Sequence, residues 1–317
     1  MLSLIIPVYH NEASLSDLLT ALNKLHDEIG NQFEVVFVID GSPDRCYEIL
    51  YSKLANQSFL SQLILLSRNF GSFPAIRAGL EAAKGEFFAV MAADLQEPPE
   101  LVFKMNKILQ AGNSDIIVAV REGRDDPLLS RISSAIFWGL YRYFVVSDMP
   151  SGGVDIFACN LKFRNQLLKL EERHSSLIAQ IFWLGFRREY VGYRRQKRQH
   201  GKSAWTFNKK INYLMDSVFS FTDLPIRLLI RAGGLATILS GLFGGGVIIA
   251  RILGNIDVPG YTTIIAIIIF FGSLNLFALG IIGSYAWRTY ENTKSRPLHV
   301  ILQQTEFIPK EKVNDKP

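Results

Sequence analysis

The chain has 317 residues, with 34 Lys and Arg against 29 Asp and Glu, which leaves a net charge of +5 at pH 7. This length suits one α/β domain with an appended region. The small positive excess does not indicate a nucleic-acid-binding protein, because the basic residues cluster beside apolar segments. Cys46 and Cys159 lie far apart without metal-type spacing, so both are expected to be reduced core thiols.

Short apolar runs alternate with helical patterns through the first 120 residues. The predicted strands are Leu2–Tyr9, Phe33–Ile39, Gln62–Leu66, Phe87–Met91 and Asp115–Val120. Helical patterns run from Asn11 to Leu25, from Ala75 to Ala83 and from Pro99 to Gln110. Strands alternating with helices predict a parallel sheet with right-handed crossovers, and therefore a Rossmann-like α/β domain. In such a sheet, ligands bind beyond the carboxyl ends of the strands.

Polar residues follow the first two predicted strands. Pro7 and Tyr9 lie at the end of the first strand, and Asn11 and Glu12 come directly after it. Asp40 follows the second strand in the sequence DGSPD. A carboxylate in that place can accept hydrogen bonds from a base or a ribose. The same five residues also favour a tight turn, so Asp40 is either a nucleotide ligand or a turn former.

An acidic tip follows the fourth predicted strand, in the sequence DLQEPP that begins at Asp94. Mg²⁺ and Mn²⁺ bind oxygen ligands, commonly one or two carboxylates together with substrate phosphates. Asp94 is therefore the candidate metal ligand and catalytic residue. Gln96 could add a carbonyl oxygen or orient a bound water. The alternative is that Asp94 only caps the helix that begins at Pro98.

The stretch RNFGSFPAIRAGLEAAKG from Arg68, followed by AADLQEPPE up to Glu100, resembles a known family. It is similar to the polyisoprenyl-phosphate glycosyltransferases of glycosyltransferase family 2, which are dolichol-phosphate-mannose-synthase-like enzymes of the GT-A fold. The bacterial branch that glucosylates undecaprenyl phosphate is the part of the family it resembles most. The resemblance extends over nearly the whole chain and into its apolar C-terminal segments.

This resemblance implies a GT-A catalytic domain that uses Mg²⁺ or Mn²⁺ at Asp94 and Gln96. It also implies that a nucleotide sugar binds at Pro7, Tyr9, Asn11, Glu12, Asp40 and Arg68. The chain departs from the family pattern at three positions. Ile39 and Ala92 each stand where the family has an Asp, and Val154 stands where Gly is usual.

Three arginines follow the fifth predicted strand, namely Arg121, Arg124 and Arg131. A guanidinium group can bind two phosphate oxygens at once. The resemblance places these arginines beside the donor pyrophosphate and the acceptor lipid phosphate. The alternative is a solvated basic face, which is strongest for Arg124 because two aspartates follow it directly.

Asp155 lies in the sequence PSGGVDIFACN, and the resemblance places it near the acceptor phosphate. Asp155 could act as a general base or position the acceptor, but a phosphate oxygen is already anionic at neutral pH, so proton abstraction is barely needed. We therefore expect Asp155 to position the acceptor and to stabilise developing positive charge on the sugar.

The segment RRQKRQHGKSAW, from Arg194 to Trp205, is strongly basic. One interpretation is a loop that closes over the substrate phosphates, with donors from Arg195, Arg198, Lys202 and Ser203. The other is simple attraction to anionic lipid, at about 1 kcal/mol per basic residue. The two interpretations are compatible.

Two long runs near the C-terminus, Ala232–Ala250 and Val258–Trp287, carry no charged residue. Roughly 20 helical residues cross the hydrocarbon core of a bilayer, so the runs predict a transmembrane helical hairpin. Basic residues are abundant before the first run and after the second, whereas the short connection has only Arg251. The positive-inside rule therefore predicts an integral membrane protein with its catalytic domain and C-terminal tail in the cytosol. The resemblance to the bacterial branch implies that this membrane is a bacterial-type inner (plasma) membrane.

The segment before the hairpin has apolar residues at helical spacing, namely Ile211, Leu214, Met215, Val218 and Phe219. This amphipathic pattern suits a helix in the membrane interface or one packed on the catalytic domain. Gly241 and Gly245 form a small-xxx-small pair in the first apolar run. Such a pair packs the hairpin or joins subunits into a homo-oligomer.

Together these observations predict a catalytic domain over residues 1–207, an interfacial segment over 208–228, two transmembrane helices over 229–288 and a cytosolic tail over 289–317. Residues 309–317 are expected to be a loose end. The predicted activity is inverting transfer of a sugar from a nucleotide-diphospho-sugar to a polyisoprenyl phosphate. UDP-glucose is the favoured donor, and GDP-mannose remains open.

Two other functions fit parts of the sequence. A processive polysaccharide synthase would need more membrane spans and a Gln-x-x-Arg-Trp motif, which QKRQ at Gln196–Gln199 does not supply. A membrane-anchored nucleotide-sugar-binding scaffold, descended from an enzyme, would explain Ile39 and Ala92. Asp40, Asp94, Gln96 and Asp155 favour the enzyme.

Overall fold

The computed structural model describes residues 1–122, 139, 141–143, 148–150, 154–172, 175–196, 215–222, 224–253 and 260–309. The chain divides into two compact units. The first unit is Met1–Lys210 together with Pro297–Pro317, and the second is Ile211–Arg296.

The first unit is built on one eight-stranded sheet. Its strands are β1 (Leu2–Val8), β2 (Phe33–Ile39), β3 (Leu60–Leu66), β4 (Phe87–Val90), β5 (Ile116–Arg121), β6 (Val154–Asn160), β7 (Arg188–Tyr193) and β8 (Ile301–Phe307). The strand order is β7-β5-β6-β4-β1-β2-β3-β8. All five strands expected from the sequence form, with bounds within two residues of the prediction.

Six helices connect these strands in the described part of the first unit. They are α1 (Leu15–Ile29), α2 (Cys46–Leu54), α3 (Ser72–Ala82), α4 (Glu100–Gln110), α5 (Leu161–Leu167) and α6 (Leu177–Trp183). A short 3-10 turn, Glu12–Ser14, precedes α1. Leucines recur on one face of α1 at positions 15, 18, 22 and 25, and all four are buried against the sheet. Every residue of β2 is buried, as expected for a strand covered on both faces.

The sheet is mixed, which corrects the expectation of a wholly parallel sheet. β4, β1, β2 and β3 are parallel, and β7 is parallel to β5. β6 runs antiparallel to both β4 and β5, and β8 runs antiparallel to β3. The sequence did not predict β6 or β8, because both pair with strands far away in the chain and β8 (ILQQTEF) has no apolar run.

A bidentate ion pair joins β5 to the start of β7. Arg187 Nε and Nη2 donate to the two carboxylate oxygens of Asp115 at 2.9 and 3.0 Å. Asn160 at the end of β6 also donates to Asp115, at 2.9 Å. The bonds from Arg187 lower the pKa of Asp115 to about 2, so this carboxylate stays ionised at neutral pH.

A buried polar network lies at the opposite end of the sheet from the polar loops. Glu34 accepts hydrogen bonds from Ser3 Oγ at 2.5 Å, from Gln62 Nε2 at 2.8 Å and from the backbone N–H of Lys84 at 3.0 Å. Gln304 on β8 donates to Gln62 Oε1 at 2.8 Å. The network therefore ties the C-terminal strand to the centre of the sheet.

The second unit contains two long helices, α7 (Leu224–Ile252) and α8 (Tyr261–Thr293). Within the described residues, Phe270–Thr293 is the one helical stretch apolar and long enough to cross a membrane. Residues 215–221 are also helical. Phe219 packs on Tyr285 with ring centroids 5.0 Å apart. Arg288 Nη2 donates a hydrogen bond to Asp216 Oδ1 at 2.8 Å. Part of the predicted interfacial segment therefore packs against α8.

The Glu34 network yields a stability prediction. Glu34→Gln puts an amide NH₂ group among donors that need an acceptor, so the free energy of unfolding should fall by about 1–3 kcal/mol. Thermal unfolding of the full chain in detergent measures this. Glu86→Gln is the matched control, because Glu86 is exposed near the same end of the sheet and its change should leave the midpoint in place. Equal midpoints for both variants would contradict the role given to Glu34.

Candidate active site

The loops that carry the predicted site residues meet at one edge of the sheet. β1, β2, β3 and β4 are parallel, so their carboxyl ends lie on the same side. β5 and β7 also end there, and antiparallel β6 begins there, with Val154 in register with Val120. The backbone of Asp155 therefore lies at this edge, whereas its side chain lies outside the described part of the structure.

Hydrogen bonds lock the loop after β1 to the loop after β2. The backbone N–H of His10 donates to Ser42 Oγ at 2.8 Å, and Ser42 Oγ donates to Asp44 at 2.6 Å. The backbone N–H of Glu12 donates to Asp44 at 3.3 Å, and the Glu12 carboxylate accepts from the Arg45 N–H at 3.2 Å. Burial raises the pKa of Asp44, but the bonds that it accepts outweigh burial and leave that pKa below its usual value.

Asp40 holds the loop that precedes α3. Its carboxylate accepts backbone hydrogen bonds from Phe70 at 2.7 Å and from Gly71 at 2.9 Å. Burial raises the pKa of Asp40, and it outweighs the opposing effect of these two bonds and of nearby Arg68. Asp40 thus organises the Arg68 loop directly. Direct contact between Asp40 and a nucleotide stays a prediction.

Gly41 allows the two loops to pack backbone against backbone. Its φ is +58°, and a Cβ at this position would lie 2.3 Å from the carbonyl carbon of Arg68. The Arg68 guanidinium lies over the Phe70 ring, 4.0 Å from its centroid. The sequence DGSPD is favourable for a turn, but the need for its glycine depends on Arg68, which lies far along the chain and is brought close only by the fold.

The acidic tip is held in a strained turn. Leu95 has a φ of +53°, a conformation that costs a non-glycine residue free energy. The backbone N–H of Gln96 donates to Asp94 Oδ1 at 3.3 Å. Ser14 Oγ donates to the Ala93 carbonyl at 3.0 Å, which fastens the tip to the start of α1. Asp94 is half-buried at the sheet edge, so the structure places it where the sequence predicted.

Gln96 is engaged by the segment that follows β7. Arg195 Nη2 donates to Gln96 Oε1 at 2.6 Å, and the Gln196 N–H donates to the Gln96 backbone carbonyl at 2.8 Å. Arg195 Nε also lies 3.9 Å from the buried carboxylate of Glu97. The amide oxygen that was expected to bind a metal therefore bonds Arg195 here. Arg195, which was expected to bind phosphate, reaches the acidic tip.

Some of the remaining predicted site residues lie in the described part of the structure, and others lie outside it. Pro7 lies within β1, Asn11 Oδ1 accepts from the Tyr9 N–H at 3.1 Å, and Arg121 ends β5 in register with Tyr193. The other predicted phosphate ligands lie outside the described residues: Arg124, Arg131, Arg198, Lys202 and Ser203.

The described residues contain no cluster of three or more His, Cys, Asp or Glu side chains that could hold a metal ion. Asp94 offers one anionic oxygen donor group at the tip. A divalent cation there would need further oxygen ligands from a substrate, which is the common arrangement when the substrate carries phosphates.

The family model for glycosyl transferase family 2 matches residues 3–192. An uncharacterized glycosyltransferase, sll0501 of Synechocystis sp. (strain ATCC 27184 / PCC 6803 / Kazusa), is 31% identical over 316 residues, 99% of each chain. The undecaprenyl-phosphate 4-deoxy-4-formamido-L-arabinose transferase of Edwardsiella ictaluri (strain 93-146) is 30% identical over 301 residues. That match covers 94% of this chain and 92% of the relative.

Among solved structures, glucosyl-3-phosphoglycerate synthase from Mycobacterium tuberculosis, in complex with Mn²⁺, UDP and glucosyl-3-phosphoglycerate, is 12% identical. The match covers 69% of this chain and 77% of that one, with a TM-score of 0.46.

The family match covers more than half of the chain, and the chain therefore belongs to glycosyl transferase family 2. It is a glycosyltransferase, and its first unit has the GT-A-like α/β fold that the sequence indicated.

The contact between Gly41 and Arg68 yields a second prediction. Gly41→Ala forces the loop after β2 away from the loop before α3, so binding of a nucleotide sugar should weaken at least about tenfold. Equilibrium binding to the purified full chain measures this. Gly30→Ala is the matched control, because Gly30 also has a positive φ but open space around its Cβ position. Equal affinity in the two variants would mean that the close approach is not needed.

Proposed function

We propose that this glycosyltransferase moves a sugar from a nucleotide-diphospho-sugar to a polyisoprenyl phosphate at the cytosolic face of a membrane. One observation carries the proposal: Asp94, Arg121 and Arg195 lie at the same sheet edge as the loops after β1 and β2. This edge combines a carboxylate with guanidinium groups, as a reaction between two phosphate-bearing substrates requires. Relatives that match over most of their length are named as undecaprenyl-phosphate transferases.

The simplest chemistry is a single displacement with inversion at the anomeric carbon. An oxygen of the lipid phosphate forms the new bond to that carbon, while the bond from the carbon to the donor diphosphate breaks. The attacking oxygen is already anionic, so no general base is needed, and the electron pair leaves with the nucleoside diphosphate. The enzyme must hold two phosphate groups in line and stabilise the charge on the leaving one.

The residues have separate tasks in this scheme. Arg121 at the end of β5 and the arginines after β7 would neutralise the two phosphate groups, and Asp155 would position the acceptor. Asp94 would hold Mg²⁺ or Mn²⁺ together with the donor diphosphate, and the bound cation would supply positive charge to the leaving group. Asp40 would act by holding the Arg68 loop beside the donor.

The identity of the transferred sugar is also a proposal. We favour UDP-glucose, since the chain resembles the glucosylating bacterial branch. The Edwardsiella ictaluri relative is named as a transferase of 4-deoxy-4-formamido-L-arabinose to undecaprenyl phosphate, a lipid of the proposed acceptor class. The acceptor class is therefore better supported than the donor.

We also infer that α7 and α8 cross the membrane as a hairpin. The chain leaves the first unit after Lys210 and returns to it at Pro297, and β8 then pairs with β3. A folded sheet cannot be divided between the two sides of a bilayer, so any crossing in the second unit must come in pairs. With 29 and 33 residues, the helices are about 43 and 50 Å long, more than the ~30 Å hydrocarbon core.

The surfaces of both helices support the same inference. Large apolar side chains point outward along α7 and α8, and Leu242, Ile252 and Leu276 each have more than 70% of their surface exposed. An apolar surface of this extent is unfavourable in water and favourable in lipid. Gly245 on α7 has open space where a Cβ would lie. Such space would let a second helix approach closely in a homo-oligomer.

The activity is tested with the purified full chain and undecaprenyl phosphate. Labelled UDP-glucose, UDP-galactose and GDP-mannose are each supplied with Mn²⁺ or Mg²⁺. We expect lipid-extractable label from one donor, its loss with EDTA, and a fall of at least about a hundredfold in Asp94→Asn. Glu100→Gln, an exposed carboxylate at the start of α4, is the control and should retain activity. Transfer that persists in EDTA would rule out the metal role of Asp94.

The hairpin is tested by single-cysteine labelling in intact cells with a membrane-impermeant maleimide. Cys46 and Cys159 are buried, so background labelling should be low. A cysteine from Asn255→Cys, between the two helices, should react in intact cells. A cysteine from Arg296→Cys, after α8, should react only in permeabilised cells. Protection at both positions in intact cells would contradict a crossing.

A further inference from the structure

Asn275 is an exposed amide in the middle of the apolar helix α8. It lies 14 residues after the start of the helix at Tyr261 and 12 residues before Trp287, where the uncharged run ends. At 1.5 Å per residue these separations are about 21 and 18 Å along the helix. The hairpin proposed above therefore places Asn275 near the centre of the ~30 Å hydrocarbon core, where no water can bond its amide.

The amide of Asn275 has both donors and an acceptor to satisfy. Its side chain makes no hydrogen bond to any residue that the structure describes. By contrast, the hydroxyl of Ser284 on the same helix donates to the Gly280 carbonyl at 2.9 Å. A serine hydroxyl can bond the preceding turn in this way, whereas an asparagine amide in a membrane helix bonds a polar group on another helix. The amide of Asn275 therefore points to a partner outside α8.

The helix face around Asn275 lets another helix approach closely. Gly272 and Ala278 lie three residues before and three residues after Asn275, so both share its face. A Cβ at Gly272 would meet nothing within 4 Å. Further along the same face, Leu279 and Ile282 have 62% and 56% of their surface exposed. Small residues beside a polar one, with apolar residues beyond them, are typical of helix contacts in membranes.

The geometry of a membrane favours a second copy of this chain as the partner. Two copies inserted in the same direction have parallel α8 helices, and every residue lies at the same depth as its counterpart. A two-fold contact through this face therefore sets Asn275 opposite the partner's Asn275. A carboxamide both donates and accepts, so the two side chains can exchange hydrogen bonds across the contact. An unrelated protein would have to supply a polar group at this same depth.

We propose that two copies of this chain associate through α8, with Asn275 hydrogen-bonded to its counterpart. This inference rests on the proposed hairpin, and it is independent of the proposed sugar transfer. Maleimide labelling tests the crossing of the membrane by itself, so failure of the hairpin and failure of the contact give different results. The contact is also distinct from one through Gly245 on α7.

Association is measured by energy transfer between fluorophores on a cysteine from Arg296→Cys. Labelled full-length copies are mixed in liposomes and then diluted with lipid. Asn275→Leu should weaken association about threefold to tenfold, because it removes a polar contact between membrane helices. Asn275→Gln keeps the amide and should retain most of the association. Ser284→Ala is the matched control, since the Ser284 hydroxyl bonds within its own helix and its loss should change nothing.

Three results of this measurement would overturn the proposal. The first is unchanged association in Asn275→Leu, and the second is an equal loss in Ser284→Ala. The third is absence of energy transfer in the unmodified chain at the highest ratio of protein to lipid. Loss of association in Gly245→Leu, with normal association in Asn275→Leu, would place the contact on α7 and reject the one proposed on α8.

Disulfide cross-linking in membranes tests which face of α8 forms the contact. Leu279→Cys lies on the face of Asn275 and should give a cross-linked dimer, which adding Asn275→Leu should reduce at least about threefold. Phe277→Cys is the matched control, because Phe277 is as exposed as Leu279 but lies about 200° around the helix from Asn275. Cys46 and Cys159 are buried and should contribute little. Equal cross-linking from positions 277 and 279 would reflect random collision and would refute the contact.

Discussion

The parallel pairing of β1 with both β2 and β4 is the constraint on which the candidate site depends. It brings the carboxyl ends of three strands side by side, and each end carries a polar loop. Backbone N–H groups in these loops would be unsatisfied without partners, and the side chains of Asp40, Ser42 and Asp44 supply them. The same carboxylates that look like ligands in the sequence therefore also hold the loops together.

Asp94 differs from those carboxylates because its turn is strained and is anchored from both sides. Such strain persists only where surrounding contacts hold it, and here they come from the start of α1 and from the segment after β7. Ala92 removes one carboxylate from the family pattern, so the cation site proposed at Asp94 has one carboxylate fewer. The contacts on both sides of the turn therefore fix the one carboxylate that remains in this pattern.

The C-terminal strand β8 belongs to the sheet of the first unit, although it follows the two long helices in the chain. β8 completes the edge beside β3, and Gln304 reaches the buried network around Glu34. The chain thus returns to the sheet after two long apolar helices. For the hairpin proposed above, this return means that any crossings must be even in number, because a hydrogen-bonded sheet cannot be divided by a bilayer.

Local patterns in the sequence determined the five N-terminal strands, the helices between them, the family and the position of Asp94 at a strand end. These features depend on residue spacing and on apolar runs, which neighbouring residues decide. Only the tertiary structure revealed the reversed strands β6 and β8, the need for Gly41 and the partners of Gln96. Each of these depends on groups far apart in the chain. Gln96 and Arg195, for example, can form a hydrogen bond only after the sheet has brought them close together.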